Sequence, residues 1–364
     1  MLGQNAPIEA AVDAFRRAQF GITDIMRRAQ GDAVEAFGLG PSESDHRIVA
    51  SAPHWRLRDY GDRDASRSVL LVAAPIKRPY IWDLAPSASA IRRCLQHDLH
   101  VHLLEWMPAS RSTCNNGLDE YTLAISDCVG KVSDRPPKTR PFLMGHSLGG
   151  TLAAIFGALA PETIRGLVLL GAPLCFQPGE SQFRDALVAL APPDISEVDP
   201  FPGSLLSHMS ALASPNTFCL VEADGRRLER YRPSRDGNSC ADRALGLDEV
   251  PLPGKLVHQI IGWLYRENRL CRGALKVGST LIGPAGLSVP TLAVVNVADE
   301  VAPMASIKPF LDATPTQDVQ IVEYRGELGV CLQHLGILVG RQAHERVWPE
   351  IISWLNSHTR TPPS

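Results

Sequence analysis

PFLMGHSLGGTLAAIFGAL (141–159) passes from a short apolar run, through a glycine-flanked serine, into a longer apolar run. The run PFLMG (141–145) reads as a buried strand, and the segment from Thr151 to about Leu159 reads as a helix. Between them, Gly145-His146-Ser147-Leu148-Gly149 fits G-x-S-x-G. That motif sets a serine on a tight, strained turn above a sheet, and it needs a strand before it and a helix after it. Both flanks are present. Small residues at Gly145, Gly149 and Gly150 let such a turn pass close to neighbouring backbone.

Outward from this turn the chain alternates strand and helix. SVLLVAAP (68–75), LHVHLLEW (99–106) and GLVLLGAP (166–173) read as buried parallel strands. SASAIRRCLQHD (87–98) and GLDEYTLAISDCVGKV (117–132) read as the helices between them. The rhythm breaks over 174–288, where Pro and Gly recur at short intervals, with one well-marked helix at GKLVHQIIGWLYREN (254–268). It resumes with strands at PTLAVVNVADE (290–300) and DVQIVEY (318–324) and a last helix through ERVWPEIISWLNS (345–357), which Pro349 kinks or starts. The pattern predicts a mostly parallel, doubly wound α/β sheet of the α/β-hydrolase kind, formed by 46–173 and 289–364, with 174–288 inserted as a cap.

Residues 1–45 form a separate helical segment ended by the breakers of GLGPSESD (38–45). Ile8, Val12, Phe15, Ile22, Met26 and Ala29 share one face, and Gly21 is a point where the helix splits. The plain expectation is that this apolar face packs on its own protein. The sharper one is contact with a granule surface, a partner or a second copy.

A net charge of -3 supplies no field for a polyanion, which argues against nucleic acid. The eight cysteines include no CxxC pair and no secretory framework, and Cys94 and Cys128 fall in helix-like apolar patterns as buried thiols. With no apolar run of transmembrane length and no secretory leader, the expectation is a cytoplasmic protein without membrane spans. Neither a phosphate loop nor a dinucleotide fingerprint is present, and the histidines of HDLHVH (97–102) read as a strand edge rather than a metal site, so no cofactor or metal is expected.

A serine hydroxyl needs a base, and in this motif's context the order along the chain is Ser, Asp, His. Asp299 closes a late strand, with Glu300 as the alternative acid. His334 follows the last strand, with His344 and His358 as competitors. The expected roles are nucleophile for Ser147, base for His334 and orienting acid for Asp299. An oxyanion hole needs two N–H donors: Leu148 is one, and in the loop AAPIK (73–77), where Pro75 has no N–H, the other is Ala74 or Ile76, with Ile76 favoured.

Several ordered segments carry a closer likeness. WRLRDY (55–60), LLVAAPIKRPYIWDLAPSASAIR (70–92), PFPGSLLSHMSAL (200–212), YRENRLCRGALKVG (265–278), VADEVAP (297–303) and HLGILVGRQAHERVWPEIISWL (334–355) together resemble polyhydroxyalkanoate synthases, especially the shorter class III type. The resemblance implies acyl-CoA chemistry and supports Asp299 and His334 by position; class III synthases also work with a second subunit. Three departures stand out. Those synthases carry cysteine where this chain has Ser147, the residue after the matched aspartate is Glu300 rather than histidine, and ALGLDE (244–249) replaces an acidic, Trp-bearing cap segment. The expected activity is therefore hydrolysis of acyl esters or thioesters, 3-hydroxyacyl ones among them. A synthase-like acyl transfer from acyl-CoA is the alternative, and a catalytically idle binding protein the second alternative.

Overall fold

The computed structural model describes residues 6–36, 41–61, 67–134, 138–218, 250–327 and 332–359. ALGLDE (244–249), Cys219, Cys240 and Cys331 lie outside the described residues. One eight-stranded sheet organises the rest: β1 (Arg47–Ala52), β2 (Trp55–Asp59), β3 (Arg67–Val72), β4 (Leu99–Trp106), β5 (Phe142–His146), β6 (Gly166–Leu170), β7 (Thr291–Asn296) and β8 (Val319–Tyr324). Their spatial order is β1-β2-β4-β3-β5-β6-β7-β8. β1 and β2 form an antiparallel hairpin, β2 runs antiparallel to β4, and every other pair is parallel.

The six parallel strands are those expected from the apolar runs. Every residue of β5 and β6 is buried, so both faces of the sheet centre are covered. β1 went unread because RIVASA is an edge strand, four of its six residues open to solvent, with none of the continuous apolar signal of the central strands.

The helices between the strands are α2 (Ala90–Leu95), α3 (Leu118–Ser133) and α4 (Leu148–Leu159). α4 is buried from Leu148 to Ala158, as a helix apolar all round must be. Within the segment between β6 and β7 lie α5 (Gln182–Leu190), α6 (Gly203–Ala213) and α7 (Gly254–Gln259), the last continuing as π-helix over Ile260–Arg266. α8 (Leu332–Val339) follows β8, and α9 (Trp348–Ser357) closes the fold with Pro349 in its first turn, where the missing N–H has no helical role.

Two expectations need correction. The N-terminal segment is one helix, αN (Ala6–Ala36), unbroken at Gly21, whose missing Cβ faces open space. It packs with the opposite face from the one its periodicity suggested. Phe15, Ile22 and Met26 are 73%, 55% and 63% exposed, while Asp24 is buried and Phe20 packs on the core. Asp24 accepts hydrogen bonds from α6 on the face of αN that turns inward.

Cys175, just past β6, is bonded to Cys271 at the far end of the insertion, 96 residues away. Such a pair leaves no local spacing pattern, and it runs against the reducing compartment read from the cysteines. Cys94, Cys114 and Cys128 are free and buried, and burial drives the Cys94 thiol up to about 12.

Candidate active site

Ser147 sits between β5 and α4 with φ 54° and ψ -132°, a positive φ that is costly for a residue with a side chain. The surroundings hold it there. Its N–H donates to the Leu170 carbonyl at 3.0 Å. A Cβ on Gly149 would overlap the Val72 carbonyl oxygen, and one on Gly145 would run into Gly149 and Gly150. The turn therefore presses on β3, and only glycine allows it.

The structure brings Ser147, His334 and Asp299 together. The Ser147 hydroxyl lies 2.7 Å from His334 Nε2, and His334 Nδ1 lies 2.7 Å from Asp299 Oδ2. With the ring proton on Nδ1, the imidazole donates to Asp299 and accepts from Ser147. Asp299 is buried, and its Oδ1 accepts from the N–H groups of Val301 (2.8 Å) and Ala302 (3.2 Å). Asn296, at the end of β7, donates to the Gln333 carbonyl and so braces the chain beside His334.

The competitors lie elsewhere. Glu300 points toward the insertion, where its carboxylate accepts from Ser214 and, at 3.4 Å, from Thr217. His344 bonds the Leu338 carbonyl at 2.7 Å, and His358 meets Asp318 at 3.0 Å.

The role of His146 was not read from the sequence. Its Nε2 donates to the His334 carbonyl at 3.0 Å, and the two rings stand 4.7 Å apart. Burial, and then the neighbouring His334, lower its pKa to about 3, so it stays neutral and holds the backbone of the base without contributing charge. Its place inside the G-x-S-x-G motif was the only available signal.

Ser147 opens into a cavity of about 370 Å³, the size of a small-molecule site. Leu148, Ala74 and Ile76 border it. Its walls are mainly apolar and include Phe176, Phe183, Leu206, Ile260 and Ile261 from the segment between β6 and β7.

Away from this site, His100 and His102 stack on one face of β4, as strand alternation requires. With Asp59 they form a buried group whose ligand-capable atoms lie within 4.8 Å of one another. The Asp59 carboxylate bonds His100 at 2.5 Å and Arg47 at 3.2 Å, tying β1, β2 and β4 together. Among the described residues, no helix is long and apolar enough to cross a membrane.

Residues 85–197, which contain the serine turn, match the family model of the alpha/beta hydrolase fold. The chain has the α/β-hydrolase fold. The chain is similar in sequence to poly(3-hydroxyalkanoate) polymerase subunits PhaC. The one from Haloferax mediterranei is 26% identical over 98% of this chain and 73% of its own length. The one from Haloarcula marismortui is 26% identical over 97% of this chain and 77% of its own. Among solved structures, a Paleococcus ferrophilus monoacylglycerol lipase aligns with TM-score 0.51 at 17% identity, covering 84% of this chain and 99% of the lipase. A membrane phospholipase A aligns with TM-score 0.53 at 14% identity, covering 98% of this chain and 100% of the phospholipase. At those identities the structural likeness speaks for the fold. The fold and the sequence relatives named as polymerases together support an enzyme of the α/β-hydrolase type.

Proposed function

We propose that the protein is a serine acyl hydrolase, acting on esters or thioesters with short or medium acyl groups, 3-hydroxyacyl groups among them. The observation that carries this reading is the continuous chain Ser147 Oγ, His334, Asp299, with both contacts at 2.7 Å. In this mechanism Ser147 Oγ attacks the substrate carbonyl while its proton passes to His334 Nε2, and Asp299 offsets the imidazolium charge. The N–H of Leu148 and that of Ile76 or Ala74 receive the oxyanion. Collapse expels the alcohol or thiol, which takes the proton from His334 and leaves an oxoester on Ser147. Water then attacks, gives its proton to His334, and releases the acid as Ser147 Oγ is reprotonated.

The relatives' name favours a second reading, transfer of the acyl group to a hydroxyl acceptor. The physical argument against it is the nucleophile. A thioester on cysteine is an activated acyl donor suited to repeated chain transfer, whereas an oxoester on Ser147 is less activated and can be released by base-assisted water. In both readings the segment 174–288 acts as the cap that shapes the acyl pocket.

The deciding experiment incubates the protein with 3-hydroxybutyryl-CoA, with Ser147→Ala as control, and follows CoA release together with product mass. Free monomeric acid that the variant does not make is the expected result. Oligomers made by the unaltered protein would replace hydrolysis with acyl transfer. No CoA release, together with no labelling of Ser147 by a fluorophosphonate, would leave the idle binding protein.

A further inference from the structure

α6 begins after Pro202, which gives its first N–H groups no side-chain cap. The cap comes from another element. Asp24 of αN accepts from the N–H of Gly203 at 2.9 Å and from that of Ser204 at 2.8 Å, one carboxylate oxygen to each. One turn earlier, the Phe20 carbonyl accepts from the Ser204 hydroxyl at 2.9 Å. Asp24 is 7% exposed. A buried carboxylate is tolerated only where donors meet it, and a helix N-terminus supplies both donors and a favourable dipole.

This clamp has a consequence for the pocket. Phe20 and Thr23 lie on the same side of αN as Asp24, and both line the cavity that contains Ser147 and His334. The Phe20 ring also lies against His208 of α6, with centroids 5.6 Å apart. Arg27, Ser204 and His208 line the same cavity, as do the apolar Leu206 and Ile261.

We propose that αN is a wall of the acyl pocket: Phe20 limits the acyl length the pocket accepts, and Asp24 is the positioning residue that holds this wall on the cap. The proposal rests on the acyl-hydrolase reading for its substrate and on the Asp24 clamp for its geometry. A bulky aromatic in the wall of a mainly apolar pocket takes space that further methylenes would need, and each methylene in such a pocket changes affinity about tenfold or more.

The test uses the full-length protein and a series of p-nitrophenyl esters from acetate to decanoate. Phe20→Ala should raise the decanoate-to-butyrate ratio of kcat/KM by about tenfold. Asp24→Ala should lose length selection in the same series through KM, with kcat for acetate little changed. Ile22→Ser, on the outward face, should keep the unaltered profile. A second readout needs no turnover: calorimetric binding of butyrate and decanoate, whose preference should move toward decanoate in Phe20→Ala. Unchanged ester and binding profiles in Phe20→Ala and Asp24→Ala, with intact circular dichroism, would overturn the proposal. If the unaltered protein cleaves no ester but Phe20→Ala still shifts fatty-acid binding, the hydrolase reading fails and the pocket wall stands.

Discussion

The serine turn and αN were both legible as elements, yet only the first disclosed its surroundings. At the turn, the letters themselves state a packing condition. Glycine at 149 is required because the Val72 carbonyl occupies the space a Cβ would need, so the motif already encodes the approach of β3. On αN the apolar stripe of Phe15, Ile22 and Met26 marks a helix but faces outward, while a carboxylate, Asp24, sits inside. Periodicity measures amphipathicity, and it does not say which face meets the rest of the chain. The face that meets the chain carries Asp24, which caps α6, and Phe20, whose ring lies against His208, and neither partner is recorded in the periodicity of αN.

The comparison can be broken where its consequences are largest. Ser147→Ala should reduce acyl turnover ~10³-fold or more while leaving thermal unfolding unchanged, because the change removes the nucleophile from a turn whose backbone it does not hold alone. Asp299→Asn should cut kcat about 100-fold or more by losing the Nδ1–H orientation of His334, while Glu300→Gln should retain most turnover, since its carboxylate bonds the insertion. Equal losses in the two variants would dissolve the distinction between these adjacent acids.

Gly149→Ala should destabilise the fold by about 3 kcal/mol or prevent its assembly, read from denaturant midpoints, because the clash is with backbone that cannot rotate away. The His146 effect is smaller and depends on pH. Its folded pKa is depressed from 6.5 to about 3, so between those values the unfolded chain binds a proton that the folded one does not. Stability from this residue is full above pH 6.5 and falls as the pH drops, by about 2 kcal/mol between pH 7 and pH 5. His146→Gln keeps a donor for the His334 carbonyl without titrating, and should flatten that slope. His344, also lowered by burial, accounts for part of the slope that remains.

The smallest effects sharpen the αN side. Asp24→Ala should cost about 1–2 kcal/mol through the loss of the α6 cap. Ile22→Ser should stay within about 0.5 kcal/mol, since its side chain is already in water. A reversal of that order would mean that the stripe is the packed face.

How much could be read in advance tracks how local each physical cause is. The six parallel strands are legible because burial on both faces demands uninterrupted apolar residues, while β1, an exposed edge, makes no such demand. Ser147 is legible because its strained turn needs its own neighbours to be small. Asp299 and His334 could be proposed only from chain order and from the family likeness, with Glu300, His344 and His358 left open. The 2.7 Å contacts come from the convergence of the loop after β7 and the first turn of α8 on the turn after β5.

By itself, then, the sequence determined the strand–helix alternation and the serine turn, since these follow from burial and sterics over a few consecutive residues. Tertiary structure alone decided which acid faces His334, that His146 braces the base, that Cys175 meets Cys271 and that αN turns its carboxylate inward. Each of those depends on partners tens to hundreds of residues apart, where hydrogen bonding and close packing act between surfaces that no local pattern records.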